Sequence, residues 1–192
     1  EEWVAHLKKT TDDARLSIFH ENILDTDFNR FKEYAPWTLL ANLPYQITFP
    51  ILYKLFEHRD LFKEGVIMVQ EEVAQKILKK SGRGYGQKSL LFQYYFEWKK
   101  LDKIPPTAFY PPPKVYSRLL YFKTKKLVPQ IPDEKQFWKF VKVCFVQPRR
   151  TLRNNLVQTH FAIEDVAEQY LDMRAQEMNM DDFLMVWDHL KK

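Results

Sequence analysis

Residues Ala41-Asn42-Leu43-Pro44-Tyr45 follow an apolar run, Trp37-Thr38-Leu39-Leu40. The run reads as a buried strand that ends in an abrupt polar turn. Such a turn is suited to methylating an exocyclic amine. The lone pair of that amine is delocalised into its ring, so the nitrogen is a poor nucleophile. Two acceptors that take both N–H bonds favour a more tetrahedral, more nucleophilic nitrogen. The Asn42 side-chain oxygen supplies one acceptor. The Leu43 carbonyl supplies the other, because Pro44 holds the residue before it in extended backbone and so fixes where that carbonyl points. Tyr45 offers a ring face to a flipped-out base. Acceptors aimed in this way catalyse electrostatically, without a dedicated base.

A second segment, Ala108-Phe109-Tyr110-Pro111-Pro112-Pro113-Lys114-Val115-Tyr116-Ser117, is a Pro-rich loop that leads into the alternating run Val115 to Phe122. Between the two lie Gln70-Glu71-Glu72-Val73-Ala74, Tyr85-Gly86, Ser89 and Gln93-Tyr94-Tyr95. Near the end stands Phe145-Val146-Gln147-Pro148-Arg149-Arg150-Thr151-Leu152-Arg153-Asn154-Asn155-Leu156. In type and order these segments resemble the small-subunit ribosomal RNA adenine N6,N6-dimethyltransferases. That family carries Asn-Leu-Pro-Tyr at its catalytic turn, Phe-x-Pro-x-Pro-x-Val-x-Ser further on, and a basic Arg-Arg-Lys-Thr-Leu-Arg-Asn-Asn-Leu helix start. The resemblance runs from about Ile18 to the C-terminus.

The resemblance implies S-adenosyl-L-methionine (AdoMet) as methyl donor, and Asn42, Leu43, Pro44, Tyr45 and Phe109 as the catalytic group. Phe109 would stack on the face of the target adenine opposite Tyr45. Asn42 would also touch the cofactor. Asn22 occupies the place where the family usually has an Asp that contacts the AdoMet adenine. Members of the family bind AdoMet on a Gly-rich turn after their first strand, and no such turn precedes Asn42 here. Residues Glu2 to Lys9 resemble the helix after the family's second strand. The expectation is a partial Rossmann-like class I methyltransferase sheet, missing its N-terminal strands and at least one βαβ unit. On that expectation the chain alone binds AdoMet poorly and is inactive.

The same comparison points to RNA-facing side chains. Arg149, Arg150 and Arg153 cluster at a helix start beside Asn154 and Asn155, where phosphates are readily bound. Pro148 stands where the family usually has another Arg. Lys76, Lys79, Lys80, Arg83 and Lys88 form a second basic patch around the glycines Gly82, Gly84 and Gly86. Ribosomal RNA of the small subunit is the implied partner.

These residues need an α/β framework. Short strands are expected at Arg15–Phe19, Trp37–Leu40, Val66–Val69 and Val115–Phe122. Helices are expected from Pro50 to Phe56, with Pro tolerated in the first turn, and from Glu71 to Lys80. Leu90 to Tyr95 fits a helix or a strand by pattern. The family suggests a helix there, then a strand through Trp98 and Leu101. Strands separated by helices favour an α/β sheet. Lys123 to Pro132 reads as a linker between a partial methyltransferase domain at 1–126 and a helical RNA-binding domain at 127–192. In the latter, Phe137, Phe140, Val141, Cys144 and Phe145 share a helical face. Leu152 to Leu156 begins another helix, and Ile163, Val166, Ala167, Tyr170 and Leu171 make a third stripe. Asn179 reads as the N-cap of a helix through Phe183 to Leu190.

Composition narrows the classes. The 192 residues are 45% hydrophobic, enough for one domain and a small second one. No apolar run approaches the roughly 20 residues of a membrane span. The single cysteine, Cys144, falls on an apolar helix face and reads as a buried thiol. The five histidines have no metal-ligand spacing, so no metal is expected. The net charge of +5 and pI near 9.1 suit a polyanionic partner. A cytoplasmic or organellar monomer is the expectation. Three other readings are open: a resistance-type large-subunit rRNA adenine methyltransferase, a homologue acting as assembly or mitochondrial transcription factor, and an RNA-binding remnant.

Overall fold

The strand pattern resolves into one four-stranded sheet in the computed structural model, which describes residues 2–157 and 159–190. In chain order come α1 (Glu2–Thr10), β1 (Trp37–Asn42), α2 (Thr48–Glu57), β2 (Phe62–Gln70), α3 (Glu71–Leu78), α4 (Gln87–Tyr95), β3 (Phe96–Ile104) and β4 (Ser117–Thr124). Four helices follow: α5 (Glu134–Cys144), α6 (Leu152–Leu156), α7 (Glu168–Leu171) and α8 (Met180–Leu190). The strand order is β1-β2-β4-β3. β1 and β2 are parallel, and β4 runs antiparallel to both its neighbours. Parallel strands need a crossover, and α2 supplies it.

Alternation places Gly65, Ile67 and Val69 of β2 on the buried face of the sheet. Leu120 and Phe122 of β4 stand opposite Ile67 and Gly65. Gly65 is required by close approach rather than by flexibility. A Cβ there would lie 2.6 Å from the Leu39 carbonyl oxygen and 2.7 Å from the Phe122 ring. Apolar faces of α2, α3 and α4 complete this half of the core, with Ile51, Leu52, Val73, Ile77 and Phe92 all buried.

Several sequence expectations are corrected. Arg15–Phe19 forms no strand. Among the described residues β1 pairs only with β2, so that segment has no ladder to join. Its Leu16 and Phe19 stay exposed. α1 likewise buries none of its residues. The stripe from Ile163 to Leu171 is helical only at Glu168–Leu171, with Ala167 as N-cap in extended-type backbone. Strands β1, β2 and β3 run to nine residues or fewer but further than the apolar runs alone suggest, and β1 extends to include Asn42.

The expected linker is a packed wall. Lys123 and Thr124 belong to β4. Ile131 is buried, the Tyr94 hydroxyl donates to the Pro129 carbonyl at 2.8 Å, and the Trp187 indole donates to the Pro132 carbonyl at 2.9 Å. Across it, the Tyr95 hydroxyl donates to Glu134 at 2.8 Å and accepts from the Trp138 indole at 3.2 Å. The core is therefore continuous from the sheet into α5 and α8, through Phe137, Phe140, Phe183 and Trp187. Cys144 is fully buried there, and burial pushes its thiol far up. α8 starts as expected: the Asn179 side chain accepts from Asp182 N at 3.1 Å, and Asp182 accepts from Asn179 N at 2.8 Å.

Buried hydroxyls follow the rule that such groups find partners. Ser89 donates to the Lys76 carbonyl at 2.6 Å and Thr48 to the Pro44 carbonyl at 3.1 Å. Among the described residues the Thr124 hydroxyl is the exception, buried and without a partner.

Candidate functional site

Asn42 is the last residue of β1 and pairs with Met68 of β2. Leu43 prolongs the ladder by one bond, its N–H donating to the Met68 carbonyl at 3.2 Å, while its side chain is buried. That anchor sets the turn. Pro44 follows with φ −59° and ψ 130°, and a short 3-10 helix, Tyr45–Ile47, leads into α2. The Asn42 side chain is exposed and makes no hydrogen bond among the described residues. The Leu43 carbonyl accepts none from the backbone there. Two acceptors on adjacent residues are thus without hydrogen-bond partners of these kinds among the described residues, at the carboxyl end of a strand, where ligands bind in open α/β sheets.

The same edge gathers the second motif. Gln70 at the end of β2 pairs with Ser117 at the start of β4, which pairs with Ile104 at the end of β3. The loop 105–116, with Phe109 in it, is therefore attached to the sheet at the edge that holds Asn42. Phe109 is half-buried, its N–H donating to the Pro106 carbonyl at 3.1 Å. The Tyr45 hydroxyl lies 2.6 Å from the hydroxyl of Ser117, which is fully buried. This bond ties the two motifs together across 72 positions of sequence. In a chain rich in ring–ring contacts, neither Tyr45 nor Phe109 touches another aromatic ring among the described residues.

Ser117 is a site residue that the sequence reading did not single out. Its signal was present: a polar residue that closes the Phe-to-Ser motif and opens an apolar strand. Its setting is braced by its neighbours. Arg118 makes a two-pronged contact with Glu71 at 2.7 and 3.1 Å and donates to the Leu101 carbonyl at 2.9 Å. Glu71 N donates to the Tyr116 carbonyl at 2.9 Å. The two side chains are only 11% and 18% exposed, so the pair is poorly screened.

The Arg118 hydrogen bond holds the Glu71 carboxyl below the usual carboxylate range. A carboxylate with a lowered folded pKa stabilises the fold above its unfolded pKa and loses that contribution as pH falls through the folded value. Glu71→Gln should therefore lower stability at neutral pH by about 1–3 kcal/mol. The gap from the parent chain should close on acidification below the ordinary carboxylate range. Urea midpoints of the two proteins across pH measure it, and a gap that persists in acid would contradict the assignment.

Asn22 is exposed, and its amide is occupied locally. Its Oδ1 accepts from Leu24 N at 3.1 Å and its Nδ2 donates to Asp25 at 2.7 Å. One amide N–H is left for a ligand.

The two basic patches, separate in sequence, meet on one surface. The Gly82–Gly86 loop is fastened to the helical part, with Gly82 N donating to the Gln176 carbonyl at 2.8 Å and Tyr85 edge-on to Phe145. A cleft of about 350 Å³ between them is lined by Lys76, Gly86, Lys88, Lys142, Phe145 and Val146. Val146 also lines a neighbouring cleft with Arg149 and Arg150. Lys142, on the polar face of α5, is the bridge that the sequence did not suggest. Lys88 sits 3.6 Å over the Phe49 ring, and desolvation and then the Lys76 charge lower its pKa. Lys76 pairs with Glu72 at 2.7 Å. Lys79, Lys80 and Arg83 are exposed, as are Arg149 and Arg150. Arg153 differs, because Glu168 of α7 engages its guanidinium. Asn155 is structural, clasping Gln147 through both atoms of its amide.

Among the described residues no group of side chains could hold a metal ion. None of their helices is long and apolar enough to cross a membrane.

The chain is similar to a set of named proteins. It is 33% identical over 180 residues to "Ribosomal RNA small subunit methyltransferase A" of Syntrophotalea carbinolica, covering 90% of this chain and 68% of that one. With the protein of that name from Mycoplasma mobile it shares 37% over 156 residues, 81% of this chain and 60% of the other. It thus spans about two thirds of the length of these relatives. Among solved structures, a dimethyladenosine transferase from Plasmodium falciparum superposes with a TM-score of 0.81 at 21% identity, covering 96% of this chain and 77% of that one. The 23S rRNA methyltransferase ErmE superposes at 0.62 and 17%, covering 82% and 66%. The sheet and its helices thus have the class I methyltransferase fold. The family model described as "Ribosomal RNA adenine dimethylase" matches residues 2–192, and the chain belongs to that family.

Proposed function

We propose that the protein carrying this chain transfers methyl groups from AdoMet to N6 of an adenine in small-subunit ribosomal RNA, twice on the same nitrogen. The observation that supports this reading is the pair of unpaired acceptors, Asn42 Oδ1 and the Leu43 carbonyl, at the carboxyl end of β1 beside the Tyr45–Ser117 bond.

The residues present fit one side of an AdoMet site. The free Asn42 amide and the spare Asn22 N–H are the groups that would hold it. When bound, AdoMet supplies an electrophilic methyl on a sulfonium centre. Everything else falls to the chain. The Tyr45 ring, fixed by its bond to Ser117, gives one stacking face and Phe109 the other. Asn42 and Leu43 accept the two amine hydrogens and hold the nitrogen lone pair outward. Positioning of this kind supplies a large share of a rate acceleration. The second transfer proceeds with one acceptor idle, since one N–H has been replaced by N–CH₃.

The strip from Lys79 through Lys142 to Arg150 takes RNA phosphates, and the helical part at 127–192 contributes half of it. Phosphate contacts position the RNA while the pocket reads the base. Arg149→Gln with Arg150→Gln should weaken RNA binding. The slope of log affinity against log salt should shrink by about 0.7 per lost single-strand contact. Adding Arg153→Gln should change the slope little, because Glu168 already engages that side chain. Filter binding across a salt series measures both. A slope unmoved by the double variant would remove these arginines from the interface.

The relatives named for the small subunit favour that substrate over large-subunit RNA. Labelled methyl groups from AdoMet, offered with separated small and large subunits, test the choice. Label in small-subunit RNA supports the proposal, and label confined to the large subunit would assign the resistance-type activity. Action where small ribosomal subunits are assembled follows from the same substrate.

A further inference from the structure

Opposite Asn42, at the start of β2 and the end of β4, lies a cleft of about 890 Å³. Eight residues of β2 separate the two edges, about 26 Å at the usual strand rise. Its floor is Phe62, Tyr95 and Thr124, and its far wall is the fixed segment from Val128 to Pro132. Lys63, Lys123, Lys125, Lys126 and Arg59 line it, against Asp60 and Glu134. The charge is only partly spent internally. Arg59 is committed to Glu134 at 3.6 Å and to the Tyr95 ring, and Lys125 donates to the Gln93 carbonyl at 2.8 Å. Lys63 has only a loose, exposed contact with Glu64 at 3.6 Å. Lys123 and Lys126 are exposed and form no ion pair among the described residues. Thr124 lines the cleft, with its hydroxyl buried beneath the surface.

We propose that this cleft is a second phosphate-ester site, which grips the backbone of the RNA substrate on the side of the sheet away from the methylated base. Three exposed ammonium groups, of which only Lys63 has an ion-pair partner in its loose contact with Glu64, match the charge of phosphodiesters. A volume of this size suits a nucleotide-sized segment. The assignment rests on the RNA reading above, and it makes the sheet a clamp with two ends: Asn42 at one and Lys63, Lys123 and Lys126 at the other.

The test is fluorescence anisotropy of a labelled single-stranded oligoribonucleotide with the whole chain. The triple variant K63Q/K123Q/K126Q should bind about tenfold more weakly, with a salt slope lower by about two, at 0.7 per lost contact. AMP and inorganic phosphate should fail to displace the oligonucleotide at concentrations where unlabelled RNA does so fully. Unchanged affinity and slope in the triple variant, with the parent chain binding normally, would overturn the cleft assignment alone. Displacement by AMP as readily as by RNA would make it a free-nucleotide site instead. A parent chain with no RNA affinity would overturn the RNA reading and this proposal with it.

Discussion

Gly65→Ala should cost about 3 kcal/mol or more, the upper range for forcing atoms into a packed core. The added methyl would stand 2.6 Å from the Leu39 carbonyl oxygen, which is backbone and cannot swing aside. It would also meet the Phe122 ring at 2.7 Å, which already packs against Phe96 and Trp98. Relief requires β1 to move away from β2, which breaks the ladder that ends at Asn42. A melting temperature lower by about 6–12 °C follows for a chain of this size. Gly86→Ala is the control, since its φ of −170° is ordinary extended backbone and nothing lies within 4 Å of its Cβ position. Thermal scans of both variants decide it. An unshifted Gly65→Ala would mean that β1 and β2 are not packed as described.

The second large effect is on chemistry. In the protein that carries this chain, Asn42→Ala should lower turnover by ~10²–10³, the scale of one preorganised electrostatic contact. The side chain is exposed and supports no neighbour, so its loss should leave the fold intact. Exposed substitutions of that kind stay within about ±0.5 kcal/mol. RNA affinity should change little, because phosphate contacts dominate it. The separation of a large kinetic loss from small changes in stability and binding is what distinguishes an acceptor from a structural residue. Near-parental turnover in a folded Asn42→Ala protein would refute the role.

Local pattern and motif made much of this site legible. The Glu71 helix start, the helical face through Phe137 and Cys144 and the Asn179 cap are local features and are present, while the helix expected from Pro50 begins two residues earlier, at Thr48. Asn42, Leu43 and Tyr45 could be placed because a strand, a proline and a turn fix them without long-range help. What was not legible depended on partners. Arg15–Phe19 has a strand-like sequence, yet a strand exists only with a ladder beside it. The stripe from Ile163 to Leu171 has helical spacing over a segment whose first half turns instead, with Val166 N donating to the Ile163 carbonyl at 3.1 Å. Lys and Pro between 123 and 132 looked like a free linker. Their carbonyls instead receive the Tyr94 and Trp187 side chains, contacts spanning 35 and 55 residues that no local window contains. Lys142 and Thr124 take their meaning from residues distant in sequence, whereas Ser117 has a local signal as the close of the Phe-to-Ser motif.

Nucleoside mass spectrometry of small-subunit RNA, after reaction with AdoMet and the protein that carries this chain, tests the central claim most directly. The account predicts N6-methyladenosine that converts to N6,N6-dimethyladenosine over time, with both nearly absent at matched times for Asn42→Ala. Methyl groups on a ring nitrogen or a ribose would contradict it, as would adenine dimethylation undiminished by the loss of Asn42.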